Sequence, residues 1–213
     1  MSKECAFLHQ VVCSLKRYHF PFDESAIPQD GIYVLFQKGE IGHGAERIVR
    51  IGTHTGEGQL PSRLWQHFLN ENKDRSIFRK NIGRAILKKT NDSFFDQWEI
   101  DLTTKTNRRK YSHKIDFDSQ KEIESKVSQY IQKNFSFAVF HIKDKNRRLK
   151  IESKLISTVS LCNDCKPSSG WLGNYSPKKK ICESGLWLVN ELYKTPLTLE
   201  ELKQLEKQID GKR

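Results

Sequence analysis

Gly31-Ile32-Tyr33-Val34-Leu35-Phe36-Gln37, followed by Ile48-Val49-Arg50-Ile51-Gly52, is the stretch of this chain that decides its fold. The first run is apolar and rich in β-branched and aromatic residues, which reads as a strand over 31–37. Gly39, Gly42 and Gly44 supply turn residues, and 47–52 reads as the return strand. Two strands joined by a turn pair antiparallel most simply. Side chains alternate between faces, so Tyr33 lies with Leu35 and Arg50 with Ile48. A matching register makes Tyr33 and Arg50 neighbours on one face of the sheet.

Working outward, Gly56, Gly58 and Pro61 break the chain, and a helix is expected over 62–70. Arg63 and His67 are four residues apart and share a face of that helix. Ser76 is an N-cap for a further helix to about residue 88. Upstream, Phe7, Leu8, Val11, Val12 and Leu15 recur at helical spacing within 4–18, and Pro21 and Pro28 bracket a loop. Residues 90–116 are polar and basic and read as an insertion holding a short strand near 94–100. A helix over 118–133, a third strand over 135–142 and a helix over 146–161 follow. A loop containing Pro167, Gly170, Gly173 and Pro177 leads to short helices near 183–193 and 198–208. The expected fold is α+β, with a small three-stranded, mainly antiparallel sheet flanked by helices. The expected division is an N-terminal helical extension (1–29), a central domain (30–176) with an insertion at about 90–134, and a C-terminal helical extension (177–213).

Charged residues make up 30% and hydrophobic residues 36%, which describes a polar-surfaced globular protein. Lys and Arg exceed Asp and Glu by 37 to 26, a net charge of +11, and such a surplus favours polyanion partners, nucleic acid first. No segment approaches the roughly 18 consecutive apolar residues of a spanning helix, so no membrane partner is expected. The N-terminus is too polar for a secretory signal. Five cysteines at irregular spacing argue against a secreted disulfide framework, and the expected compartment is cytoplasmic. Cys162-x-x-Cys165 invites a zinc reading, but a structural site wants four ligands. Cys182 stands alone and no histidine lies beyond His141, so the cysteines read as ordinary reduced thiols. Trp171 and Trp187 read as packing residues.

Two features call for a partner. Arg75 and Arg79, and Lys80 and Arg84, place like charges four apart on one helix, a mildly repulsive pattern that bound phosphate would relieve. A solvated helix face is the alternative. In the helix over 146–161, Leu149, Leu155, Ile156 and Val159 mark an apolar stripe, and Glu152 falls inside it. A carboxylate there is costly unless it is paired with a Lys or Arg or bound to a metal ion.

Gly31-Ile32-Tyr33, Arg50-Ile51-Gly52, the Arg63 and His67 pair, and Glu152 in a helix after the third strand together resemble the GIY-YIG endonuclease superfamily. The resemblance implies metal-dependent hydrolysis of nucleic-acid phosphodiesters. It implies Tyr33 as general base and Glu152 as the sole side-chain ligand of a divalent cation, Mg²⁺ or another such as Mn²⁺. Arg63 then clamps a phosphate oxygen, and His67 relays a proton or positions the water. A loop asparagine after the glutamate helix completes the set, with Asn174 the choice and Asn163 the other option. The second motif normally begins with tyrosine, and this chain has Arg50. Arginine is too basic to accept a proton, but its charge favours the phenolate form of a neighbouring tyrosine. Arg75, Arg79, Lys80 and Arg84 become nucleic-acid contacts. The implied substrate is DNA, with RNA left open. One such site cuts one strand, so a double-strand break takes a homodimer or two successive cuts. The alternative is a catalytically inactive nucleic-acid-binding module of the same fold.

Overall fold

The structure, a computed structural model, describes residues 2–210. Its sheet has four strands rather than three, in the order β1-β4-β2-β3, with every neighbouring pair antiparallel. These are β1 (Tyr18–His19), β2 (Gly31–Gly42), β3 (Ala45–Gly52) and β4 (Phe135–His141). The added strand β1 is two residues long and pairs with Phe137 and Ser136, too short to leave a periodic pattern. β2 and β3 reverse at His43 and Gly44, both with positive φ (51° and 76°), the backbone that a tight two-residue hairpin turn demands. Gly31 is required by packing. A β-carbon there would fall 2.3 Å from the Phe140 carbonyl oxygen of β4.

The sheet is buried on both faces, so the domain is a helix–sheet–helix sandwich. One face carries Tyr33, Leu35, Val49 and Phe137. It is covered by α2 (Leu60–Phe68), α3 (Ile77–Thr90) and α6 (Phe117–Asn134). The other carries Ile32, Val34, Ile48 and Phe140 beneath α1 (Ser2–Cys13), α7 (Lys145–Ser160) and α9 (Leu199–Asp210). The helices start where side chains satisfy their orphan N–H groups. Ser76 accepts from Arg79 N at the head of α3, Asp116 caps α6 and Asp144 caps α7. Asn91, in the left-handed region at φ 56°, ends α3.

Two expectations are corrected. The strand near 94–100 is instead the short helix α4 (Phe95–Glu99), and a second helix, α5 (Lys105–Tyr111), follows it. Trp98 of α4 is fully buried and donates Nε1–H to Lys80 O at 3.0 Å, lying over Gly83 where a β-carbon would come within 2.3 Å. The helix expected over 183–193 is α8 (Lys179–Ser184), ended by Gly185 at φ 69°. The chain then runs beside β3, with Trp187 N donating to Val49 O at 2.7 Å. Trp187 enters one core while Leu186 and Leu188 enter the other, a period of two rather than 3.6.

Candidate active site

The hairpin builds the centre of the site. Tyr33 pairs with Gly52 and Leu35 with Arg50, which sets Tyr33 and Arg50 diagonally on one face as expected. A bulge at Val49 turns Ile48 to the opposite face, so Arg50 and Ile48 do not share a side as simple alternation has it. Arg50 Nε donates to the Tyr33 hydroxyl oxygen at 3.2 Å. Arg50 Nη1 donates to the Trp187 carbonyl, and the guanidinium stands over the Phe78 ring at 5.3 Å. From α2, His67 Nε2 meets the same Tyr33 oxygen at 2.8 Å, and His67 Nδ1 meets Ser76 Oγ at 2.8 Å. Tyr33 and His67 have no exposed surface. The Tyr33 hydroxyl is therefore buried in a polar setting, beneath Arg50. Burial first, then the charges of Arg63, Arg50 and Arg79, holds His67 well below the ordinary histidine range, so its ring is neutral.

Above this relay lies a cleft of about 520 Å³ lined by Arg50, Arg63, Asn81, Glu152, Asn190 and Glu191. Arg63, one turn before His67, is oriented by bonds from Nη1 to Gln66 Oε1 (3.0 Å) and Arg75 O (3.2 Å). Glu152 reaches the cleft from α7. Arg148, one turn earlier, anchors that helix by donating to Ile142 O and Lys143 O at 3.0 Å each and by facing Asp30 at 3.5 Å. Burial pushes the Glu152 carboxyl up to about 7; Arg50, the Thr53 N–H and Arg63 act in the opposite direction. Among the described residues no direct ion pair ties it down. A hard oxygen donor, penalised by burial and facing open volume, suits a divalent cation that keeps most of its waters.

Other expected site residues lie elsewhere. Asn174 sits in a 3-10 turn, exposed, with Nδ2 donating to Ser168 O and Ser169 O at 2.9 and 3.1 Å, and does not line the cleft. Nor does Asn163. The asparagines that line it are Asn190 and Asn81. Asn190 was hidden because 183–193 reads as helix. It and the Trp187 carbonyl come from the segment expected to be a C-terminal helical extension, whose residues Leu188–Glu191 line the cleft.

The basic helix α3 also differs from expectation. Arg79 is fully buried and binds Glu124 Oε2 and Ser128 Oγ of α6 at 2.8 Å each. Lys80 pairs with Asp74 at 3.3 Å, and Arg84 grips both Glu99 oxygens at 2.6 and 2.7 Å. Carboxylates from the loop before α3, from α4 and from α6, not phosphate, offset the like-charge spacing. Of the four, only Arg75 is exposed.

The GIY-YIG domain model matches residues 10–213, so the chain belongs to the GIY-YIG domain family, whose members are generally endonucleases and typically use a divalent metal. No curated protein and no solved structure gives a significant match. No helix among the described residues is long and apolar enough to cross a membrane.

Proposed function

We propose that this protein is a metal-dependent DNA endonuclease that hydrolyses a phosphodiester by direct attack of water. One observation carries the reading: Tyr33, Arg50, Arg63, His67 and Glu152, scattered over 120 residues of sequence, gather in and beneath a single cleft. Glu152 would hold Mg²⁺ or Mn²⁺, which supplies Lewis-acid neutralisation of phosphate charge. Arg63 presents its planar fork to a non-bridging phosphate oxygen. His67 offers an N–H to the Tyr33 oxygen when the imidazole proton is on Nε2, and so holds the phenol in place. Tyr33 gives up its own proton to bulk water before the chemical step and, as phenolate, accepts the proton of the attacking water, which leaves to solvent with the products. Arg50 covers the hydroxyl, so it swings toward the incoming phosphate as substrate binds, exposing the oxygen and adding its charge to the transition state. His67 stays neutral and orients the phenol. Asn190 positions substrate at the rim, and Arg75 contributes a phosphate-backbone contact that adds affinity without reading sequence.

The test is supercoiled plasmid with purified protein and Mg²⁺. Nicking is expected, lost in Glu152→Gln and in Tyr33→Phe while DNA binding persists. A wild-type protein that shifts DNA without nicking it, or normal cutting by both variants, refutes the reading.

A further inference from the structure

We propose that Cys5, His9, His43 and Cys165 hold one zinc ion in a structural site separate from the cleft. Their donor atoms all lie within 4.8 Å of one another. Cys5 Sγ and Cys165 Sγ are 3.6 Å apart, and Cys165 Sγ and His9 Nε2 are 3.7 Å apart. A tetrahedral ion with Zn–S near 2.3 Å and Zn–N near 2.0 Å spaces its ligands by roughly 3.3–3.8 Å, so these gaps match the edges of such a tetrahedron. Four soft or borderline donors, two thiols and two imidazoles, select zinc over the hard cation suited to Glu152.

Each ligand is aimed by its local structure. Cys5 and His9 are four residues apart on α1 and therefore share a face. His9 Nδ1 donates to Cys5 O at 2.9 Å, which fixes the tautomer and directs the Nε2 lone pair at the cluster, the outer-partner pattern of metal-bound histidine. Nε2 also receives a long N–H bond from Ile48 at 3.3 Å, which the ion replaces. His43 is the non-glycine residue of the β2–β3 turn, and its ring centre is 5.0 Å from that of His9. Cys165 lies in the loop after α7. Its CxxC partner Cys162 stands 3.3 Å from His43 Nε2 and offers a fifth donor beside the four. Cys5, His9 and Cys165 are almost wholly buried, which keeps competing water away from the four donors.

The ion ties the N-terminal helix, the hairpin tip and the loop after the Glu152 helix into one knot. It sits on the α1 side of the sheet near the closed end of the β2–β3 hairpin, against Ile48 of β3, and shares no residue with the cleft. Its role is therefore to stabilise the fold, and it stands or falls independently of the endonuclease reading.

Untagged full-length protein, produced with zinc in the medium, is expected to carry one zinc per chain by elemental analysis. Cobalt in its place should give thiolate-to-cobalt and tetrahedral ligand-field absorption. Cys165→Ser and His43→Ala should lose the metal and melt at lower temperature, whereas Cys13→Ser and Cys182→Ser keep it. If the cluster variants fail to fold, cobalt uptake by the wild-type chain decides. A wild-type chain that takes up neither zinc nor cobalt overturns the proposal, as does a Cys5–Cys165 disulfide found by mass spectrometry in metal-free protein.

Discussion

The phenol of Tyr33 rests on Gly52: a β-carbon at residue 52 would lie 2.2 Å from the Tyr33 hydroxyl oxygen and 2.4 Å from Cζ. The second motif's glycine is there to admit the first motif's tyrosine. Gly52→Ala should push the phenol away from Arg50 and His67. A displacement near 1 Å costs on the order of 10²-fold in rate, so plasmid nicking should fall by about that factor while the circular dichroism spectrum is retained. Unchanged nicking would disconnect the phenol from the chemistry.

Arg50 holds two partners at once, the Tyr33 oxygen and the Trp187 carbonyl. A lysine is a point donor on a flexible stem and cannot keep both. Losing one charge-assisted hydrogen bond costs about 1.5–3 kcal/mol, so Arg50→Lys should slow nicking by roughly 10- to 100-fold with DNA affinity little altered. Single-turnover kinetics against a binding isotherm separates the two effects.

Glu152 titrates near 7 in the folded chain against 4.5 for an ordinary glutamate, so the folded state holds the proton more tightly than the unfolded state. That preference stabilises the protein fully below about 4.5 and is lost as pH rises through about 7, by up to about 3 kcal/mol in the absence of magnesium. Urea melts in magnesium-free buffer across this window should show the decline, and Glu152→Gln should flatten it. Binding of a hard cation needs the carboxylate, so Mn²⁺ affinity should weaken as pH falls below about 7.

Arg79 and Arg75 should behave oppositely. Arg79→Ala strands Glu124 in the core, and breaking a buried pair costs about 3–5 kcal/mol, so the melting temperature should drop sharply. Arg75→Ala should leave stability unchanged and reduce the slope of log affinity against log salt by about 0.9, one phosphate contact. A loss of DNA affinity in folded Arg79→Ala with none in Arg75→Ala would reverse the assignment.

The strands β2, β3 and β4 were legible because alternation and glycine punctuation are local signals. So were Tyr33 beside Arg50, and Glu152 on an otherwise apolar stripe. What escaped depended on long-range contacts. Arg79, Lys80 and Arg84 look like a phosphate-binding face until α4 and α6 bring Glu99 and Glu124 against them. Trp98 draws 95–99 into a helix by packing on Gly83, which no propensity in that stretch announces. Asn190 reaches the cleft because Leu186, Trp187 and Leu188 alternate between two cores, whereas the same three apolar residues in a row also suit a helix. The Cys-x-x-Cys pair lacked visible partners because they lie some 120 and 160 residues upstream, in the hairpin turn and on α1.

The contact between Gly31 and the Phe140 carbonyl changes how relatives of this chain should be sought. Any side chain at residue 31 would wedge two central strands apart, whereas Arg50 meets the phenol only through the end of its long side chain, a looser steric constraint. A search weighted toward the missing methyls at 31 and 52, and lenient at 50, would find divergent nucleases that a literal spelling of the signature passes over.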